Sequence, residues 1–274
     1  AAKIVLRVRE AVDWEQEVTS FGQGWGQLLS GLQGLRSQDG ASSREYYYGL
    51  FSPSSSYQNY CRQGCIGGLS SLAQDYRYAQ ARTSLGLGFS GDETVGTLVH
   101  EVGHAHGREH APCGLMGQAS DPYFPSSNAK LDTWGYDVRT QSLKKPSSYV
   151  DMMSYCDPIW ISAYTYNALA DRIVAVNSLA FFEEPKDEND SDAEWLVLVA
   201  EPDGSWNFGT PVVLDEYPHG IEREIIFNDA NGKAIEIELG EYFPYSHGEQ
   251  GLVMIRRPNP DVKSIEIDGY ILKL

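Results

Sequence analysis

The segment His100-Glu101-Val102-Gly103-His104-Ala105-His106-Gly107-Arg108-Glu109-His110 contains four of the six histidines of the chain. On a helix, His100 and His104 are one turn apart, so their imidazoles project from the same side about 5–6 Å from each other. That spacing allows one Zn²⁺ to bind both rings at about 2.0–2.1 Å. The spacing therefore predicts a helix that carries two metal ligands.

The end of the same segment offers a third ligand. Gly107 can adopt the positive φ that ends a helix, which lets the chain turn and bring His110 back to the metal. Glu101 lies beside the first two ligands. Three protein ligands leave a fourth position for water, and a neighbouring carboxylate can accept the proton of that water. This combination is typical of a zinc hydrolase.

The flanking sequence predicts where this helix begins and how it packs. Ser90 and Glu93 form a capping-box pattern, and Asp92 adds negative charge at the positive end of the helix dipole. We expect the apolar residues of one stripe to be buried and the metal ligands to lie on the opposite face; the stripe comprises Val95, Leu98, Val99 and Val102. His106 falls within the stripe, which favours a structural histidine in the core over a catalytic one.

Composition narrows the function classes. The content of 42% hydrophobic and 22% charged residues is ordinary for a globular protein. The net charge of −17 argues against a nucleic-acid partner, since phosphate binding needs a basic patch. No apolar run approaches the roughly 18 residues of a membrane-spanning helix. The N-terminus, residues 1–9, predicts a strand rather than a signal peptide, so a signal and any pro-segment are expected to be absent from this chain.

Charge also predicts the domain organisation. From Glu183 onward there are 21 acidic and 7 basic residues, against 17 and 14 in residues 1–182. We expect a first domain at 1–182, a polar linker at 183–192 and a second domain at 193–274. The acidic linker is more typical of a solvated connector than of a structural Ca²⁺ site, and calcium binding is kept as the alternative.

Other elements follow from periodicity and turn residues. Strands are predicted at 3–8, 44–51 and 83–89, and helices at 14–37 and 162–180, with Ser162 as cap of the last one. A long loop to about residue 147 is expected to shape a substrate cleft. Regularly spaced short strands after residue 193, with a hairpin turn at 228–232, predict a small all-β sandwich.

His100-Glu-x-x-His104-x-x-Gly107-x-x-His110 resembles the extended zinc motif of the metzincin metallopeptidases. The second half of that family signature is a methionine turn, and residues 151–156, Asp-Met-Met-Ser-Tyr-Cys, are similar to it. Met153 is the better candidate for the turn methionine and Met152 is the alternative. The sequence after His110 and after the turn is similar to a bacterial secreted branch of the family.

The resemblance implies a fold and roles for particular residues. It implies an α/β (α+β) catalytic domain with a mixed twisted sheet and an active-site helix. Glu101 would act as general base toward a zinc-bound water, and Tyr155 would donate a hydrogen bond at the metal or the oxyanion, or else pack under the cleft. Met153 would form an apolar floor beneath the metal. Trp160 and Ile161 would form a wall of the substrate pocket.

Four cysteines permit three disulfide connectivities, and two disulfides are favoured over a second zinc site. We expect Cys61–Cys65 as a short clip and Cys113–Cys156 as a link between the two segments of the active site. Disulfides predict a secreted, periplasmic or cell-surface location.

The sequence thus predicts a monomeric, secreted zinc endopeptidase with one Zn²⁺ and a protein or glycoprotein substrate. One alternative is a non-catalytic binding or adhesion protein that uses the same scaffold. Another is a zinc hydrolase with a non-peptide substrate. The presence of Glu101 and all three histidine ligands argues against a mere scaffold.

Overall fold

A computed structural model describes residues 4–72, 75–179, 193–214, 217–248 and 250–274. Within these ranges the chain forms four α-helices: α1 (Trp25–Gln38), α2 (Tyr57–Tyr60), α3 (Asp92–Ala105) and α4 (Ala163–Leu179). The predicted acidic linker at 183–192 lies outside the described residues, and so does the structural Ca²⁺ site considered for it. No helix in the described ranges is long and apolar enough to cross a membrane.

A small mixed sheet supports α3. Its strands are β1 (Tyr47–Phe51), β2 (Gly68–Ser70) and β3 (Thr83–Leu87). The order is β1-β3-β2, with β1 parallel and β2 antiparallel to β3. The strand predicted before the metal helix is therefore present as β3, and β2 forms one edge of the sheet.

The loop after α3 contains four short strands in two pairs. The first pair, β4 (Gly135–Asp137) and β5 (Ser142–Lys144), is an antiparallel hairpin. The second pair, β6 (Val150–Asp151) and β7 (Ile159–Trp160), is parallel and encloses the predicted methionine turn. The predicted helix after this turn is present as α4, and the Ser162 hydroxyl accepts a hydrogen bond from the Thr165 amide at 3.1 Å, as a cap should.

The remaining strands join into one large, nearly barrel-shaped sheet rather than a sandwich of two separate sheets. Seven of its strands follow the order β10-β8-β13-β12-β11-β14-β15, and β9 pairs with β8. Their bounds are β8 (Ala193–Ala200), β9 (Trp206–Phe208), β10 (Val212–Leu214), β11 (Ile221–Asn228), β12 (Ala234–Pro244), β13 (Gly251–Arg256), β14 (Ser264–Ile267) and β15 (Tyr270–Lys273). The predicted hairpin turn at 228–232 connects β11 and β12.

The two parts of the chain share a hydrophobic core. Trp25 and Leu29 of α1 pack in one buried cluster with Leu85 of β3 and with Val199 and Leu252 of the large sheet. A second cluster, which includes Phe227 and Ile265, lies on the large sheet itself. The large sheet is thus packed directly against α1 and the small sheet, and the small sheet in turn supports α3.

Two predictions near the N-terminus are wrong. Residues 4–8 do not form a strand, and Ile4, Leu6 and Val8 are at least 85% exposed, because no strand or core in the described part of the chain covers their apolar side. The first helix starts at Trp25 rather than at residue 14. Gly22 and Gly24, with φ of 107° and 81°, turn the chain immediately before it.

Candidate active site

Helix α3 has the predicted position but a different N-cap. The cap residue is Gly91, with φ of 139° and no side-chain hydrogen bond, so the predicted Ser90–Glu93 capping box does not form. Asp92 and Glu93 do lie in the first turn, where their negative charges interact favourably with the positive end of the helix dipole. At the other end Gly107 has φ of 80°, which is the predicted left-handed turn after the helix.

The most deeply buried face of α3 is the one that carries the predicted ligands, and the predicted apolar stripe is only partly covered, with Val99 and Val102 half-buried. His100, Glu101 and His104 are buried, whereas Val95 and Leu98 of the apolar stripe are 61% and 36% exposed. The polar face can approach the sheet because small residues lie opposite it. A Cβ on Gly68 of β2 would be 2.5 Å from Cγ of Glu101. The backbone oxygen of Glu101 also accepts a hydrogen bond from the Ser84 hydroxyl at 3.1 Å.

The three predicted ligands converge through their Nε2 atoms. Nε2 of His104 lies 3.1 Å from Nε2 of His100 and 3.1 Å from Nε2 of His110. Three nitrogens bound tetrahedrally to one zinc at about 2.0–2.1 Å lie about 3.3–3.4 Å apart. The residues therefore fit a zinc ion with only a small adjustment of the rings.

Backbone contacts orient these rings for metal binding. Nδ1 of His100 is 3.0 Å from the Met152 carbonyl oxygen, and Nδ1 of His104 contacts the Arg108 carbonyl oxygen. His110 is hydrogen-bonded to the backbone of Ala119. A ring that donates Nδ1–H to a carbonyl presents a bare Nε2 lone pair, which is the form that binds zinc.

Burial keeps the three histidines neutral. Desolvation is the largest cause that lowers the pKa of each ring, and the neighbouring histidines add to it. The pKa of His110 falls to about 3, and that of His104 lies well below the ordinary histidine value. Neutral imidazoles are required for metal binding, so the ligands are already in the competent state at neutral pH.

His106 lies away from this cluster. Its ring stacks on Tyr46 with centroids 4.1 Å apart, and its Nδ1 is 2.8 Å from the Val102 carbonyl oxygen. Desolvation lowers its pKa to about 4. These contacts agree with the prediction of a structural histidine.

The segment between β6 and β7 brings Met153 beneath α3. Met153 is 1% exposed and packs with Ala111, Ala129 and Val150. Its backbone oxygen accepts a hydrogen bond from the Ala111 amide at 2.9 Å, which ties the turn to the segment that follows His110. Met152, the alternative turn methionine, contributes its carbonyl oxygen to His100 instead.

Asp151 is a residue of the turn whose role the sequence did not reveal. It is fully buried, and its carboxylate accepts hydrogen bonds from the amides of Met153 at 2.8 Å and Ser162 at 2.9 Å. It thereby connects the methionine turn to the start of α4. The signal available in the sequence is an aspartate directly before the two methionines.

Tyr155 places its hydroxyl at the histidine cluster. The oxygen is 3.1 Å from Nε2 of His110, 3.2 Å from Oε1 of Gln118 and 2.6 Å from Nδ1 of His247. Desolvation, and then the charge of Glu101, raise the pKa of Tyr155, so the phenol stays protonated and able to donate. This position favours the hydrogen-bonding role over simple packing under the cleft.

His247 is the site residue that sequence reasoning missed. Its ligand atom and those of the three predicted ligands all lie within 4.8 Å of one another. Nε2 of His247 is 2.8 Å from Oε1 of Glu101, and the hydroxyl of Ser246 donates to Oε2 of Glu101 at 3.2 Å. The sequence held only a weak signal, a histidine in a short segment between two strands.

Trp160 ends β7 and Ile161 directly follows it. Trp160 packs over the β4–β5 hairpin, where a Cβ on Gly135 would be 2.3 Å from its indole nitrogen and Lys144 lies 5.1 Å over its ring. Both residues are half-buried. Their role in a substrate pocket stays a prediction.

The structure contains both expected disulfides. Cys61–Cys65 closes a short loop, and Cys113–Cys156 joins the segment after His110 to the end of the methionine turn. The Tyr155 amide also donates to the Cys113 carbonyl at 2.9 Å. The bridge therefore fixes Tyr155 relative to the third ligand.

Compared with known families, residues 32–155 match the model of the Peptidase M66 family. The matched region contains α3, all three predicted ligands, Met153 and Tyr155, and it ends well before His247. The match and the histidine cluster support a metallopeptidase. Corresponding searches against curated proteins and solved structures find no match.

Proposed function

We propose that this chain is a secreted, metzincin-type zinc endopeptidase. The observation that carries the proposal is the convergence of three neutral Nε2 atoms, from His100, His104 and His110, beside the buried carboxylate of Glu101. A bound zinc would polarise the scissile carbonyl and lower the pKa of a water molecule.

The side chains of the chain supply the remaining chemistry. Glu101 is the proton acceptor for the attacking water and returns the proton to the leaving amine. The protonated hydroxyl of Tyr155 stabilises the developing oxyanion. Met153 is the rigid apolar support beneath the ligands, and Trp160 and Ile161 border the pocket for the residue after the cut.

The surroundings of the site support a role outside the cytosol. Two disulfides are typical of proteins from oxidising compartments. The net charge of −17 disfavours anionic polymers such as nucleic acids as partners. We propose a monomer that acts on proteins or glycoproteins, with residues 1–182 as catalytic domain and 193–274 as accessory domain.

A cleavage-site profile on a complex protein mixture tests this function. The zinc-loaded chain should produce new peptide termini with a consistent side-chain preference around the cut. The Glu101→Gln variant, treated identically, should produce none above background. Equal cleavage by both proteins, or none by the wild type, would contradict the proposal.

A further inference from the structure

The chain segment between β12 and β13 extends the small sheet at its edge. After Pro244, the Ser246 amide donates to the Ser70 carbonyl at 2.9 Å, and the Leu72 amide donates to the Pro244 carbonyl at 3.0 Å. Tyr245 forms an antiparallel bridge with Ser71 and is 4% exposed in the shared core. The backbone that carries Ser246 and His247 is therefore held by β2, next to α3.

This placement satisfies both carboxylate oxygens of Glu101. The Ser246 hydroxyl accepts a hydrogen bond from the Ser70 amide at 3.0 Å, so its own proton is free to be donated to Oε2 of Glu101. Oε1 of Glu101 is 2.8 Å from Nε2 of His247. A carboxylate that is only 2% exposed needs such donors, because an unpaired buried charge is costly.

His247 differs from the other three histidines of the cluster in its hydrogen bonds. Each of those rings has a backbone partner that leaves Nε2 bare, whereas both nitrogens of His247 face side chains. An ionised Glu101 requires a donor, so Nε2 carries the proton. Without substrate, Nδ1 then accepts the single proton of the Tyr155 hydroxyl at 2.6 Å, and in the proposed reaction this proton is donated to the oxyanion instead.

We propose that Ser246 and His247 are positioning residues of the active site, which hold Glu101 and Tyr155 at a fixed spacing on either side of the histidine ligands. This inference rests on the proposed peptidase function and deepens it. It assigns the C-terminal sheet a part in catalysis. The region 32–155 that matches the peptidase family therefore lacks two residues that the reaction needs.

The test compares the wild type with four active-site variants and one control variant, each as the full chain loaded with zinc. His247→Ala removes both hydrogen bonds of the ring. His247→Gln can keep a donor near the Nε2 position, whereas His247→Asn keeps a polar group near the Nδ1 position only. Ser246→Ala removes the second donor to Glu101. His219→Ala is the control, because His219 is exposed on the same part of the chain. Zinc content, zinc affinity against a competing chelator, unfolding temperature, kcat and KM are measured for each.

We expect His247→Ala to keep one zinc and the wild-type unfolding temperature within a few degrees, while kcat falls by about 10- to 100-fold, as for other partners of catalytic groups. KM should change little. His247→Gln should recover more activity than His247→Asn, because the donor to Glu101 is the more important bond. Ser246→Ala should show a smaller loss of kcat.

Several results would overturn the proposal. Loss of zinc from His247→Ala would make His247 a fourth metal ligand, and a rise in activity would make it a blocking group. Equal rates for the wild type and both His247→Ala and Ser246→Ala would remove these residues from the reaction. If the wild type itself and Glu101→Gln are equally inactive, the peptidase function fails, and this inference fails with it.

Discussion

Gly103 lies directly on Met153. A Cβ at Gly103 would be 2.4 Å from the Met153 sulfur and 3.1 Å from its terminal carbon. Since Met153 is 1% exposed and packed against Ala111 and Val150, it has little room to move. The absence of a side chain at this helical position therefore lets α3, which carries His100 and His104, pack closely on the predicted methionine turn.

Gly103→Ala should destabilise the protein despite the better helix propensity of alanine. We expect a loss of about 1–3 kcal/mol in the free energy of unfolding, because overpacking forces the methionine turn away from α3. Gly96→Ala on the same helix is the matched control. A Cβ there meets nothing within 4 Å, so that variant should gain about 0.5–1 kcal/mol. Urea unfolding measures both, and equal effects would contradict the close packing.

Glu101→Gln should retain zinc and fold but lose hydrolysis by about 100-fold to 10,000-fold, because the amide cannot accept the proton of the attacking water. Steady-state kinetics and metal analysis on the same sample check this. Glu93→Gln is the control, since Glu93 is exposed in the first turn of α3. Wild-type kcat in Glu101→Gln would remove Glu101 from the mechanism.

His110→Ala should lose the metal. The ring supplies one of three converging Nε2 atoms, and two ligands from one helix turn bind zinc much more weakly than three. Atomic absorption after dialysis should find one zinc per wild-type chain and almost none in the variant. His219→Ala should keep its zinc, and retention by His110→Ala would show that another residue takes this position.

Removal of the Cys113–Cys156 bridge should cost more stability than removal of Cys61–Cys65. The sequence separations are 43 and 4 residues, and the loop-entropy model gives about 4 and about 2 kcal/mol respectively. Double Cys→Ala variants compared by thermal unfolding test this order. The longer bridge also fixes Tyr155, so its loss should lower kcat, whereas the short clip should leave kcat unchanged.

Glu201→Gln should stabilise the protein at neutral pH. Glu201 is 2% exposed and accepts a hydrogen bond from the Gly24 amide at 3.1 Å, and desolvation raises its pKa above the ordinary 4.5. A raised carboxyl pKa gives stability that is present at low pH and is lost as the pH rises through the folded-state pKa. Glutamine keeps the acceptor and avoids this loss.

The advantage of Glu201→Gln over the wild type should therefore grow as the pH rises from about 4.5 toward 7. Urea unfolding at a series of pH values measures it. Glu222→Gln, at an exposed position, should follow the wild type throughout. A difference that is independent of pH would show that the ionisation of Glu201 does not matter for folding.

The sequence by itself determined the local features of the site. The spacing of His100, His104 and His110 places three ligands around one point because helical periodicity and the turn at Gly107 act within eleven residues. The elements β3 and α4 were predicted for the same reason, since a short run of residues carries its own periodicity and caps. The Cys113–Cys156 disulfide was predicted because the two segments that carry these cysteines were both assigned to the active site.

Tertiary structure alone decided which groups meet across long distances in the chain. Glu101 and His247 are 146 residues apart, and their contact depends on Tyr245 adding to the edge of β2. Periodicity showed that α3 has an apolar and a polar face but not which one is covered. Gly68 and Ser84 of the sheet select the polar face, because they leave room and supply a hydrogen-bond donor. Such partners come from sheet packing, which no single segment encodes.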